Sequence, residues 1–148
     1  MNTEVMFSSD KSCWETPRAL FEQLDAEFHF TLDAAASDEN HKCGRYFTVK
    51  EDGLRQNWGG ETVFCNHPYG SRETGLWTEK CWREGQKSGT TVVLLIPART
   101  DRASFHDYIL GSAEIRFLRG RLKFELSGRP AGTAPFPSMI AIWRGGST

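Results

Sequence analysis

The sequence predicts an α/β fold: one domain over residues 1–148, with a mostly parallel sheet, helices on both faces and a C-terminal antiparallel hairpin. Three observations predict it. Helix-like and strand-like stretches alternate along the chain, the pattern of a layered α/β domain. The strongest strand, residues 91–96, is apolar on both faces, as a central parallel strand covered by helices must be. The Gly- and Pro-rich residues 127–137 separate the last two strand candidates and read as a long hairpin loop. At 148 residues there is no reason to expect a second domain. Residues 1–13 are expected to form a flexible N-terminal stretch.

The first helix starts at Thr16 and Pro17. Thr can cap exposed N–H groups, and Pro suits the first turn because its missing donor leaves nothing unsatisfied there. Leu20, Leu24 and Phe28 then recur every four residues as one apolar stripe. Residues 28–32 read as a short strand that runs into a turn of small residues, 33–37. Residues 38–60 are polar and irregular, with Asp52-Gly53 as a turn signal. Residues 62–65 read as a buried strand ending at Asn66, followed by a polar loop with Gly70 and Gly75. The next helix is predicted over 76–87, with Trp77, Cys81 and Trp82 toward the core and Ser88-Gly89 as its stop. Pro97 ends the central strand. A helix around 103–110 and strands at 114–118, 122–126 and 138–143 complete the order.

Hydrophobic residues make up 39% of the chain and charged ones 25%, which excludes disordered, collagen-like and low-complexity classes. The longest aliphatic run, residues 92–96, falls far short of the roughly 20 apolar residues of a membrane span. The N-terminus has no basic region followed by an apolar one, so no secretory signal is expected. Cys13, Cys43, Cys65 and Cys81 contain no C-x-x-C pair, so a zinc knuckle is not expected. Reduced thiols are the default, and Cys65 and Cys81 read as packing residues. The net charge of −1 hides an asymmetry. Residues 1–75 carry 7 Lys and Arg against 13 Asp and Glu, residues 76–148 carry 11 against 6. This is a prior for separate anionic and cationic surfaces, with scatter over solvated faces as the plainer reading.

In open α/β sheets, ligands bind beyond the carboxyl ends of the strands. Two such ends carry unusual residues, 32–37 and 65–70. The second, Asn66-His67-Pro68-Tyr69, resembles the Asn-Pro-Pro-Tyr signature of amino-group methyltransferases, with His67 in place of the first Pro. Around it stand Trp14-Glu15-Thr16-Pro17, residues 30–37, Arg45-Tyr46-Phe47-Thr48 and the run from Asp52 to Trp58. Residues 94–101, 120–124 and 135–139 continue the series. In this order, over roughly residues 14–143, the chain resembles the small phage and prophage DNA N-6-adenine methyltransferase family.

The resemblance implies a Rossmann-like methyltransferase fold, S-adenosylmethionine as methyl donor and the N6 amine of adenine in double-stranded DNA as acceptor. It further implies no metal, no membrane and action in the cytoplasm of a bacterial host, and it leaves a homodimer open. An exocyclic adenine amine is a poor nucleophile because its lone pair is delocalised into the ring. Acceptors on its N–H groups favour a more tetrahedral nitrogen. In the family these are the Asn side-chain oxygen and the next backbone carbonyl, here those of Asn66 and His67. Pro68 would fix the backbone so that they converge, and Tyr69 would stack on the extruded base. Thr16 and Pro17 would cover the methionine end of the cofactor. Asp33, Ala34 and Ala35 would shape its site, Asn66 would border it, and Asp52 would meet its adenine amine. Glu39 and Glu51 are both candidates for the ribose hydroxyls. The absence of a G-x-G-x-x-G after the first strand means that dinucleotide motif adds no support. Arg99, Arg102, Arg119, Arg121 and Lys123 would contact DNA phosphates. The His67 carbonyl serves as well as any other, but the loop loses a Pro restraint, and the His67 ring is available to a phosphate. Little of the chain is left for a target-recognition domain, so sequence preference is expected to be short or lax.

Each residue also has a plainer reading. Asp33 can cap its turn, Asp52-Gly53 is a common turn, and Tyr69 can be a packed aromatic. The basic residues, with Arg129, can form a solvated face. Trp14, Trp58, Trp77 and Trp82 can be core or rim. The functional reading rests on the ordered series. Two rivals accompany it: a catalytically weakened or inactive binder of cofactor or DNA, motivated by His67, and methylation of an RNA nitrogen or a protein amide.

Overall fold

The apolar run at residues 91–96 builds the middle of a five-stranded sheet in a computed structural model that describes residues 14–146. The expected flexible stretch, residues 1–13 with Cys13, lies outside the described residues. Strands β1 (Leu32–Asp33), β2 (Thr62–Cys65) and β3 (Thr91–Pro97) run parallel. β4 (Glu114–Phe117) forms the far edge. β5 (Lys123–Leu126) and β6 (Arg129–Thr133) make a separate two-stranded sheet. β7 (Ser138–Arg144) runs antiparallel between β3 and β4, so the order is β1-β2-β3-β7-β4.

Four strands of this sheet run the same way and β7 runs against them, so the sheet is mostly parallel as expected. What the structure corrects is the terminal hairpin, because β7 pairs with β3 and β4 and not with residues 122–126. Every residue of β7 except Arg144 is buried. A strand apolar on both faces needs cover on both, so it takes an interior place, where β3 and β4 satisfy its backbone on either side. Residues 127–137 are likewise not a loop. They contain β6, which turns back on β5 through Ser127 and Gly128, both left-handed at φ 53° and 78°.

Helices lie on both faces, as the sequence predicts. α1 (Arg18–Phe28) buries Phe21 and Leu24 against Phe64, Val93, Leu95, Ile140 and Ile142. On the other face, α2 (Ser71–Gly85) brings Trp77 and Cys81 onto Val63, Cys65, Val92, Leu94 and Trp143. Phe105 and Ile109 of a π-helical turn (Phe105–Ile109) join this second layer, in place of the regular helix expected at 103–110. α2 begins at Ser71 rather than at 76 and takes in Gly75, with extended Gly70 as its cap and Glu73 favourably placed in its positive first turn. Only Leu32 of the strand expected at 28–32 belongs to β1. Left-handed His29, φ 57°, ends α1 there, and Phe28 and Phe30 pack on each other instead of pairing. Trp58, Trp77 and Trp143 are core residues. Cys43, Cys65 and Cys81 are buried free thiols. Burial pushes Cys43 up to about 12 and Cys65 also well up, so both stay protonated packing groups. No helix among the described residues is long and apolar enough to cross a membrane.

Candidate active site

β2 ends at Cys65, and Asn66, His67, Pro68 and Tyr69 leave the sheet beyond it, ahead of α2. The Asn66 amide is held at both ends. Its Nδ2 donates to the Trp14 carbonyl and to Thr16 Oγ1, each at 3.0 Å. Its Oδ1 accepts from the Tyr69 hydroxyl at 2.8 Å. Thr16 is therefore not the helix cap the sequence predicts. Its buried hydroxyl is turned to Asn66, and Pro17 stands at the α1 cap position with no side-chain cap bond.

His67, whose ring is open on sequence grounds to a contact with phosphate, is closed off from solvent. It is 2% exposed, its ring stacked on Trp77 at 6.2 Å and edge-on to Tyr69 at 5.3 Å. Nδ1 lies 2.7 Å from the Pro68 carbonyl, and Nε2 finds no partner among the described residues. Burial lowers its pKa to about 4, so the ring is neutral. Tyr69 sits edge-on to Phe124 and Phe136, and burial pushes its phenol up.

Two cavities meet at this point. The larger, about 570 Å³, is lined by Thr16, Asp33, Ala34, Ala35, Asp52 and Asn66, together with Ala36, Glu39 and Gly53. Of the expected cofactor residues, Pro17 stays out of its wall, as does Glu51, one of the two ribose candidates. Close approach of two backbones forms its floor: a Cβ on Gly53 would lie 2.2 Å from the Ala34 carbonyl oxygen. Asp33 is 4% exposed and accepts from the Lys42 N–H (2.8 Å) and the Ala35 N–H (3.4 Å). Burial raises its pKa in spite of those bonds. It pins the loop, the plainer of its two readings. Asp52, at φ 59°, accepts from the Leu54 N–H and caps a 3-10 turn (Gly53–Arg55). Glu39 lines the cavity and Glu51 does not. The Glu51 carboxylate accepts from the Thr48 N–H and hydroxyl, both at 2.7 Å, which hold its pKa down.

The second cavity, about 400 Å³, is lined by Trp14, Tyr69, Thr133, Phe136, Arg99 and Arg102, among others. Trp14 belongs to both walls. The Arg99 guanidinium lies 5.6 Å over the Phe136 ring. Of the five basic residues predicted to meet phosphate, the fold brings these two to the cavity. It leaves Arg119 and Arg121 exposed on the approach to β5 and Lys123 exposed at its first position. Sequence reasoning missed Glu15, Thr133 and Phe136. The signal available was the Ser127-Gly128 turn dipeptide, which splits the supposed loop into a hairpin and brings Thr133 and Phe136 back beside Trp14. Among the described residues, no group of three or more His, Cys, Asp or Glu is arranged to hold a metal ion.

The family model described as DNA N-6-adenine-methyltransferase (Dam) matches residues 4–146. The chain is 28% identical over 120 residues to a DNA N-6-adenine-methyltransferase of Escherichia phage T1, covering 80% of this chain and 49% of that protein. It is 33% identical over 63 residues to a protein of the same name from Haemophilus phage HP1 (strain HP1c1), covering 41% of this chain and 36% of that one. The matches thus span about half or less of these relatives' own length.

Proposed function

The chain belongs to the DNA N-6-adenine-methyltransferase (Dam) family, and from this and the surroundings of Asn66 we propose a Rossmann-like enzyme that methylates the N6 amine of adenine in double-stranded DNA, with S-adenosylmethionine as donor. The observation that carries the reading is the Asn66 amide, which lines a cavity holding small, acidic and aromatic residues and bonds through Oδ1 to Tyr69 in the aromatic and basic wall of the second.

The larger cavity fits the donor's chemistry. Ala34, Ala35 and Gly53 let backbone come close to a ligand, and Asp33, Glu39 and Asp52 supply negative potential for a sulfonium cation. When bound, S-adenosylmethionine supplies the electrophilic methyl group. Thr16 and Asn66 border the end nearest the second cavity, with Pro17 behind Thr16 as the start of α1. Glu39 is the carboxylate for the ribose, because Glu51 is already bonded to Thr48. Asp52 is the group for the cofactor's adenine amine.

The second cavity receives the extruded base, which Trp14, Tyr69 and Phe136 can hold by their rings. Asn66 Oδ1 accepts one N–H of the target amine, taking it in place of the Tyr69 hydroxyl, and the His67 carbonyl accepts the other. Pro68 fixes the turn between them. The neutral His67 ring, packed on Trp77, braces this backbone without entering either cavity, which supports an active enzyme over an inactive binder. Arg99 and Arg102 meet flanking phosphates at the cavity, and Arg119, Arg121 and Lys123 meet them further out. Catalysis is positioning plus electrostatics. The phage origin of the relatives supports action in a bacterial host cytoplasm.

Transfer of a tritiated methyl group from S-adenosylmethionine to DNA, with N6-methyladenine in the digest, tests the reading. Asn66→Ala is expected to lower kcat on the order of 100-fold or more with an unchanged circular dichroism spectrum. Undiminished turnover in that variant overturns the assignment of Asn66, and preferential transfer to RNA or protein overturns DNA as the acceptor.

A further inference from the structure

Residues 14–16 run between the two cavities, and something must hold this extended segment in place. Trp14 lines both cavities, while Glu15 and Thr16 line the larger. The β5–β6 hairpin does the holding, through Glu15. The Glu15 N–H donates to the Glu125 carbonyl at 2.9 Å, and the Glu125 N–H donates to the Glu15 carbonyl at 3.0 Å. The Glu15 carboxylate then accepts from the N–H groups of Ser127 (2.9 Å) and Gly128 (3.2 Å), the two left-handed residues of the hairpin turn. Bonds from N–H groups to a carboxylate are charge-assisted and strong. The Trp14 ring adds packing on Phe124 of β5 and on Phe136, at 5.1 and 5.6 Å.

The other side of the same segment grips Asn66. A backbone carbonyl can only accept, so the Trp14 carbonyl admits Nδ2 of the amide and rejects Oδ1. That choice leaves Oδ1 to the hydroxyl of Tyr69, a residue of the aromatic cavity's wall. With the amide turned over, a substrate amine would meet a donor instead of an acceptor.

We infer that Glu15 is a positioning residue: by pinning residues 14–16 to the β5–β6 turn, it sets which way the Asn66 amide faces. The hairpin that carries Lys123 and Arg129 is thereby coupled to the acceptor of the reaction. The kinetic part of this inference rests on the proposed function. The orientation part does not.

The test compares wild type with Glu15→Ala and Glu15→Gln by two readouts. Nuclear magnetic resonance of the Asn66 side-chain NH2, with no substrate present, reads the amide's hold. Hydrogen exchange at Nδ2 is expected to quicken about tenfold or more in Glu15→Ala and less in Glu15→Gln, which keeps one acceptor. Steady-state methyl transfer is expected to show kcat lowered on the order of 10- to 100-fold in Glu15→Ala. The KM values for S-adenosylmethionine and DNA should stay within about threefold, the pattern of an interaction that acts in the transition state. Unchanged Nδ2 exchange, or a loss carried by KM alone, overturns the inference. If Glu15→Ala does not fold, the isosteric Glu15→Gln decides on the same criteria. A wild type that transfers no methyl group sinks the proposed function, while the exchange measurement still judges Glu15.

Discussion

Asn66 and His67 are neighbours in the chain with opposite environments. Asn66 reaches three hydrogen-bond partners at the wall of the larger cavity, one of them Tyr69 of the second cavity's wall. His67 is buried, with one ring nitrogen unpartnered among the described residues. Its pKa near 4, against 6.5 unperturbed, makes folding stability depend on pH in a stated direction. Below 6.5 the unfolded chain binds a proton that the folded one refuses until about 4. Stability is thus full above 6.5 and falls as pH drops through that window. His67 should account for about 2 kcal/mol of loss between about pH 7 and pH 5, read from urea midpoints. His67→Phe keeps an aromatic ring against Trp77 and should remove that part of the slope. An identical slope in the variant counts against the buried neutral ring. The motif itself was legible from sequence, because Asn66 to Tyr69 follow an unmistakable strand. The environment of His67 was not, since the ring that fills its space, Trp77, lies ten positions on in a helix whose start the sequence misplaced.

At the level of elements, a close approach that shapes the larger cavity is between the end of β1 and the 3-10 turn at Gly53. A Cβ there meets the Ala34 carbonyl oxygen at 2.2 Å and Trp77 at 3.0 Å, so the turn must move away from the strand. Gly53→Ala is expected to destabilise the fold by about 1–3 kcal/mol in urea unfolding. By the proposed function, it should also weaken S-adenosylmethionine binding about tenfold in calorimetry, because the cavity floor shifts. Unchanged stability in that variant contradicts the packing. Elements with strong local signals were readable: β2, β3 and the apolar stripe of α1 lie where periodicity puts them. β6 was not, because Pro130 and Gly132 carry loop chemistry, and only pairing with β5 makes a strand of them.

Across the whole molecule, the uneven charge acquires a place. Asp33, Glu39 and Asp52 line the larger cavity, and Arg99 and Arg102 line the second. Exchange between the halves also occurs, for Arg116 binds Glu27 through two 2.7 Å contacts and Glu125 bonds back to Glu15. If the two cavity arginines each neutralise one phosphate, removing both should reduce the slope of log affinity against log salt by about 2. Filter binding of duplex DNA to the Arg99→Ala, Arg102→Ala double variant reads this, and a wild-type slope argues that they do not touch phosphate. The sequence by itself determined the layered α/β class, the central strand, helices on both faces and the order of motifs that carries the family. These follow from local propensity and from burial patterns written into single segments. Only the tertiary structure decided that β7 lies inside the sheet, that Glu39 rather than Glu51 faces the larger cavity, and that Glu15 ties a hairpin over a hundred residues away to the segment holding Asn66. Each of these is a pairing between distant stretches. Which partner satisfies a buried backbone or carboxylate is settled by what else competes for it in space.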